Sequence, residues 1–190
     1  MLEREEILRL FRETGVLLEG HFLLTSGRHS PQYLQCAQVL KHPQMAARLC
    51  RQLLEKLTAR EVDLCIGPAM GGIIMAYEMA RLLEVPAIFA EREKGEMTLR
   101  RGFAIKPGEK VLVVEDVITT GGSVEEVMSL VRQEGGTVTE VAVLVDRSGG
   151  RARFDVPLQS LIALDVETYR PQECPLCRQG IPAVKPGSRR

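Results

Sequence analysis

Apolar positions along this chain recur at two different spacings, and the switch from one to the other predicts its elements. Residues 2–14 carry Ile7, Leu10, Phe11 and Thr14 along one face among Glu and Arg, which is the spacing of an amphipathic helix, and Gly15 ends it. Residues 20–35, GHFLLTSGRHSPQYLQ, read as a polar turn between two short strand-like runs. Pro43 stands at the first position of a helix with the apolar face Met45, Leu49, Leu53 and Leu57, flanked by Ala46, Cys50 and Leu54. Strands and helices then alternate. Strands are predicted over 62–66, 87–90, 111–114, 138–145 and 160–166, with helices over 73–83 and 124–134, the latter stopped by Gly135-Gly136. Residues 103–105 read as one more short strand before a turn at Pro107-Gly108. Residues 91–102 show no periodicity and predict a mobile, charged loop or a hairpin. A tail rich in Pro, Arg and Gly follows the last strand.

The run Val111-Leu112-Val113-Val114 is apolar without alternation, as in strands buried on both faces of a parallel sheet. Strands alternating with helices therefore predict an α/β fold with a mainly parallel central sheet and helices on both faces. In such sheets, ligands bind beyond the carboxyl ends of the strands. Two stretches put chemistry there. After strand 111–114 come Glu115, Asp116, Val117, Ile118, Thr119, Thr120, Gly121, Gly122 and Ser123, leading into a helix. A Gly- and hydroxyl-rich turn into a helix offers backbone N–H groups and a positive dipole end to an anion, and the two acids suit sugar hydroxyls. That combination is what a ribose phosphate requires. It is neither a Walker A loop nor a G-x-G-x-x-G dinucleotide fingerprint. The second stretch, GPAMGG over 67–72, is another Gly-rich turn at a strand end, read either as a tight turn or as an anion loop.

Residues 111–123, VLVVEDVITTGGS, resemble the phosphoribosyl pyrophosphate (PRPP) signature of the type I phosphoribosyltransferases across all thirteen positions. Residues 25–35 resemble the amino-terminal segment of the orotate phosphoribosyltransferases through Ser26, Gly27, Arg28, Ser30, Pro31 and Tyr33. The resemblance covers roughly residues 1–167 and implies transfer of a 5-phosphoribosyl group from PRPP to orotate, giving orotidine 5′-monophosphate and pyrophosphate in pyrimidine biosynthesis. A purine-base phosphoribosyltransferase and a PRPP-sensing regulator of the same fold are the alternatives. The family fold implies a hood built from about 1–40 and part of 147–170, one domain over 1–170, and a separate tail over 171–190.

The resemblance also implies roles. Glu115 and Asp116 hold the ribose hydroxyls, residues Val117 to Ser123 line the PRPP site, and Gly71 and Gly72 of the second loop take pyrophosphate. Arg92 and Lys94 match the basic positions of a flexible catalytic lid, with Lys94 beside Glu115 and Asp116 among the catalytic residues. Thr119, Arg147 and Tyr33 are the orotate contacts. Mg²⁺ bound mainly through PRPP is the implied cofactor, and a homodimer with the lid reaching the neighbouring subunit is the implied assembly. Thr25, and Met70-Gly71 in the second loop, stand where many relatives carry Lys, so pyrophosphate contact at 67–72 falls to backbone N–H groups.

Composition narrows the picture. Lys plus Arg equals Asp plus Glu at 25 each, a balance that gives no reason to expect a nucleic-acid partner. No apolar run approaches the ~20 residues of a membrane span, and the amino end is charged rather than signal-like. Five cysteines without a secretory signal point to reduced thiols and a cytoplasmic location. Cys174 and Cys177, in ECPLCRQG, form half of a tetrahedral metal site. The other half could come from another subunit, or the two could remain thiols or act as a redox-sensitive pair. Histidines 21, 29 and 42 read as surface or turn residues.

Overall fold

The structure, a computed structural model, describes residues 3–24 and 26–186. The chain separates into two compact units, one of residues 40–164 and one in which the residues up to Val39 meet those from Asp165 onward.

The larger unit is built on a six-stranded sheet of order β5-β4-β3-β6-β7-β8. Its strands are β3 (Leu64–Pro68), β4 (Ala87–Glu93), β5 (Glu96–Leu99), β6 (Lys110–Ile118), β7 (Thr137–Asp146) and β8 (Leu158–Ala163). All neighbours run parallel except β4 and β5. The central strands are buried on both faces, as their unbroken apolar runs require: every residue of β3 is buried, and so are Val111 to Glu115 of β6. Val111 and Val113 join a core cluster with Val124, Val127, Met128 and Val131 of α5 (Gly122–Gln133). Leu112 and Val114 point the other way by strand alternation. Helices α3 (Pro43–Leu54) and α4 (Gly71–Leu83) touch through Cys50 and Met75, both fully buried.

Element boundaries follow the sequence pattern to within a few residues, with one difference of kind. Residues 103–105 form no strand. They are an apolar connector: Ile105 is buried in the core cluster, and Phe103 meets Phe89 edge-on at 5.2 Å. Residues 91–99 take the hairpin form, with Glu93 paired to Glu96 across the two-residue turn Lys94-Gly95. Both turn residues have positive φ, 52° and 96°, the geometry whose twist matches paired strands.

Glu140 is a buried charge that the sequence pattern hides. It lies on β7, fully enclosed. Its carboxylate accepts hydrogen bonds from the Thr58 N–H (2.9 Å), the Thr58 hydroxyl (3.0 Å), the Ala59 N–H (2.8 Å) and the Gln159 amide (2.9 Å). The carboxylate thereby supplies acceptors to the segment after α3, whose backbone lacks a ladder partner there.

In the smaller unit, α1 (Arg4–Glu13) buries Ile7, Leu10 and Phe11, and Gly15 follows with φ 73°. An antiparallel ribbon of β1 (Leu17–Leu23) and β2 (His29–Leu34) comes next. The short helix α2 (Ala37–Leu40) leads out of it. After Asp165 the chain adds single bridges to the ribbon, His29 with Tyr169 and Phe22 with Val184, around a 3₁₀ turn (Pro171–Glu173) and the one-turn helix α6 (Pro175–Arg178). His21 and His29 are buried in this ribbon, at 4% and 8% exposure, not on the surface as their polarity suggests. Only His42 is exposed among the three histidines. Thr25 lies outside the described residues.

Candidate functional site

Parallel β3 and β6 deliver both Gly-rich loops to the same sheet edge. Leu64, Cys65 and Ile66 pair with Val111, Leu112 and Val113, so the chain leaves β3 at Gly67-Pro68 beside Glu115 and Asp116. The approach is close. A Cβ built on Gly71 would lie 2.3 Å from the Asp116 carboxylate, and one on Gly67 would lie 2.4 Å from the Gly72 carbonyl oxygen and 2.8 Å from that of Val114. The loop 67–72 therefore consists of glycine where it meets the β6 loop because there is no room for a side chain. The Ala69–Met70 peptide is cis, and the Met70 side chain is exposed.

The acids sit in a setting that resists charge. Burial, and then the neighbouring Asp116, push the Glu115 carboxyl up to about 9. Burial also raises Asp116, opposed by its contact with Glu115 and by backbone hydrogen bonds, so the two neighbouring acids hold one proton between them above the ordinary carboxylate range. Each acid is oriented by a backbone N–H: that of Asp116 donates to Glu115 Oε1 (3.0 Å), and that of Val117 donates to Asp116 Oδ1 (2.8 Å).

Beyond them the chain turns into a cradle. A small open cavity of about 70 Å³ is lined by Glu115 and by residues 117–124. Thr119, Thr120 and Ser123 are exposed along it. Gly121 caps α5 with φ 88°, and a Cβ there would press on Phe154 at 3.0 Å. No side chain between 117 and 123 is charged. An anion in this cavity would meet hydroxyls and the N-terminal N–H groups of α5 rather than a lysine.

The adjoining strand completes the edge. Ile118 pairs with Asp146, so Thr119 and Arg147 leave neighbouring strands side by side. The Arg147 N–H donates to the Ile118 carbonyl (2.9 Å), and Asp146 accepts from the Ser148 N–H (2.7 Å), closing the turn that carries Arg147. Lys94 is exposed at the hairpin tip. Arg92 is engaged: it donates to the Gly95 carbonyl (2.8 Å) and pairs with Glu126 of α5 at 2.7 Å. Nothing in the sequence pattern flagged Glu126 as its partner. Tyr33 belongs to the smaller unit, half-buried with its ring 5.7 Å from that of Phe22.

Among the described residues, no helix is long and apolar enough to cross a membrane. Comparison with known proteins gives consistent results. The phosphoribosyl transferase domain family matches residues 35–161. An orotate phosphoribosyltransferase of Pelotomaculum thermopropionicum is 58% identical over 189 residues, covering 100% of both chains. The crystal structure of orotate phosphoribosyltransferase from Aeropyrum pernix is 30% identical with a TM-score of 0.70, over 83% of this chain and 93% of that one. An adenine phosphoribosyltransferase structure from Rhodothermus marinus follows at 27% identity and TM-score 0.59, over 70% and 87%. With a glycine loop packed against the acid pair, and with similarity running the full length of its relatives, this chain belongs to the phosphoribosyltransferase family, among the orotate phosphoribosyltransferases.

Proposed function

We propose that the chain transfers the 5-phosphoribosyl group of PRPP to orotate, releasing pyrophosphate and forming orotidine 5′-monophosphate for pyrimidine nucleotide synthesis. The observation that carries the choice of base is the full-length similarity to the Pelotomaculum enzyme, since the acid pair and cradle alone would serve any PRPP-dependent transferase.

The cradle at Thr119 to Ser123 takes the 5-phosphate on hydroxyls and helix N–H groups, with the Val117-Ile118 backbone shaping its wall. Ribose hydroxyls donate to Glu115 and Asp116, replacing the proton that the two acids otherwise share, and so favour the charged form of the pair. A pair charged in this way stabilises positive charge on the sugar as the bond to pyrophosphate lengthens. Backbone N–H groups at Gly71 and Gly72 receive the pyrophosphate. Lys94 and Arg92 neutralise it as it leaves. For Arg92 this means exchanging Glu126, a half-exposed pair worth about 0–1 kcal/mol, so the exchange costs little. Thr119 and Arg147 hold the orotate, the guanidinium facing its carboxylate edge, and Tyr33 offers a ring to the base. No covalent protein intermediate is required, because position and electrostatics suffice.

The side chains of this edge of the larger unit offer carboxylate and hydroxyl oxygens and no thiol or imidazole, which fits a hard cation. Mg²⁺ arriving with PRPP would offset the pyrophosphate charge, held mainly by substrate oxygens and water. A homodimer whose Lys94 hairpin serves the neighbouring subunit, in the cytoplasm, completes the reading. The test is to mix purified protein with PRPP and Mg²⁺ and follow the loss of orotate absorbance, with adenine in a parallel reaction. Turnover of orotate and none of adenine is expected, and the reverse would overturn the assignment.

A further inference from the structure

Four side chains converge within the smaller unit. They are His21 of β1, His29 of β2, and Cys174 and Cys177 around the start of α6. We propose that they bind one structural zinc ion in a tetrahedral Cys₂His₂ site that ties the carboxyl-terminal segment to the β1–β2 ribbon. The pair missing from the Cys-x-x-Cys half-site is supplied by the same chain.

The geometry is that of a ligand set. His21 Nε2 lies 2.7 Å from His29 Nδ1, 3.5 Å from Cys174 Sγ and 3.8 Å from Cys177 Sγ, and Cys177 Sγ lies 3.2 Å from His29 Nδ1. All four atoms fall within 4.8 Å of one another. With Zn–N near 2.0–2.1 Å and Zn–S near 2.3 Å, a tetrahedron has edges of about 3.3 Å between nitrogens, about 3.5 Å between nitrogen and sulfur and about 3.8 Å between sulfurs. Three of the four nitrogen–sulfur distances, 3.2, 3.5 and 3.8 Å, straddle that value. The His21–His29 contact must open by about 0.6 Å and the Cys177–His29 contact by about 0.3 Å for an ion to sit between them.

The surroundings match. His21 Nδ1 donates to the Ile181 carbonyl at 2.6 Å, which leaves the Nε2 lone pair facing the cluster. Three of the four ligands are buried. A core built for packing alone has no reason to bring two imidazoles and two thiols to one point, because buried polar groups cost free energy unless partnered. Two thiolates balance Zn²⁺ and two neutral imidazoles add no charge, so the filled site is neutral. Binding releases the two thiol protons to solvent.

The site also gives the tail an anchor. Apart from it, the carboxyl-terminal segment meets the ribbon through the isolated bridges at His29–Tyr169 and Phe22–Val184, with Arg28 and Ser30 adding bonds to Thr168 and Glu167. Both bridges adjoin the ligands: the His29 N–H donates to the Tyr169 carbonyl, and the Val184 N–H donates to the His21 carbonyl. A metal here closes a loop spanning most of the chain, which restricts the unfolded state.

The full-length protein, purified without chelators, is expected to contain one equivalent of zinc per chain by elemental analysis. Cys177→Ser should reduce that content to background, while His42→Asn, at an exposed histidine outside the cluster, should keep it. Replacing zinc by Co²⁺ should give the intense visible bands of tetrahedral cobalt and a thiolate charge-transfer band. Removing the metal from wild type should lower Tm. This last pair of measurements stands even if the serine variant does not fold. Protein that arrives without zinc and develops no tetrahedral cobalt spectrum would overturn the proposal. So would a Cys174–Cys177 disulfide, seen as a mass lower by two hydrogens, or unchanged metal content in Cys177→Ser. None of these readouts depends on orotate turnover.

Discussion

At Gly71 a single methyl group separates a working acid pair from a displaced one. An added Cβ would meet Asp116 Oδ2 at 2.3 Å, and the carboxylate would have to swing away. Gly71→Ala sits at the start of α4 without positive φ, so its effect on stability should stay within about 1 kcal/mol. Turnover should fall by roughly 10²-fold, the size of penalty that an ångström of misplacement brings. Unfolding curves and kcat measured on the same preparation separate the two effects. Glu115 makes a second prediction at this scale. Its folded-state value is raised to about 9, so the folded chain keeps a proton that the unfolded chain releases near 4.5. This stability is fully present below about 4.5 and is lost as pH rises through about 9. Between pH 6 and 9 the Tm of the substrate-free protein should fall more steeply than that of Glu115→Gln, and equal slopes would contradict the shared-proton account.

Among the elements, the β4–β5 hairpin combines a conformational demand with a chemical one at the same residue. Lys94 occupies the left-handed region with φ 52° because the two-residue turn requires it there. Asn adopts that region more readily than Lys but carries no charge. Lys94→Asn should therefore leave Tm unchanged or slightly raised while lowering kcat by about 10²–10³-fold, if the cation meets the leaving group. Activity close to wild type would show that Lys94 serves the turn alone. Legibility at this scale varied for physical reasons. Strands β3 and β6 could be read because burial on both faces leaves an apolar run. Residues 103–105 carry the same kind of signal yet form no strand, because Phe103 and Ile105 bury as a connector, and apolarity reports burial rather than backbone pairing.

Across the whole molecule, Glu140 shows how a distant segment is held. Thr58, Ala59 and Gln159 converge on it from positions far apart in sequence. Glu140→Ala would strand several donors in the interior, each costing about 1–3 kcal/mol, so a loss of roughly 3 kcal/mol or more is expected in urea unfolding. Specific activity per folded molecule should be retained, because Glu140 lies outside the sheet-edge cavity. The larger unit supplies that edge from β3, β4, β6 and β7, and it depends on such non-local ties to keep its strands in register.

The sequence alone determined the α/β alternation, the two glycine loops and the acid pair, because each is a local pattern of apolar runs, turn residues and adjacent charges. Only tertiary structure decided which residues meet. The Gly71–Asp116 approach, the pairing of Arg92 with Glu126 and the convergence of His21 and His29 with Cys174 and Cys177 all join segments whose separation along the chain carries no periodic signal. The two histidines illustrate the difference. Eight residues apart across a polar turn, they read as solvated side chains, until strand pairing and a tail returning from residue 165 buried them against two thiols.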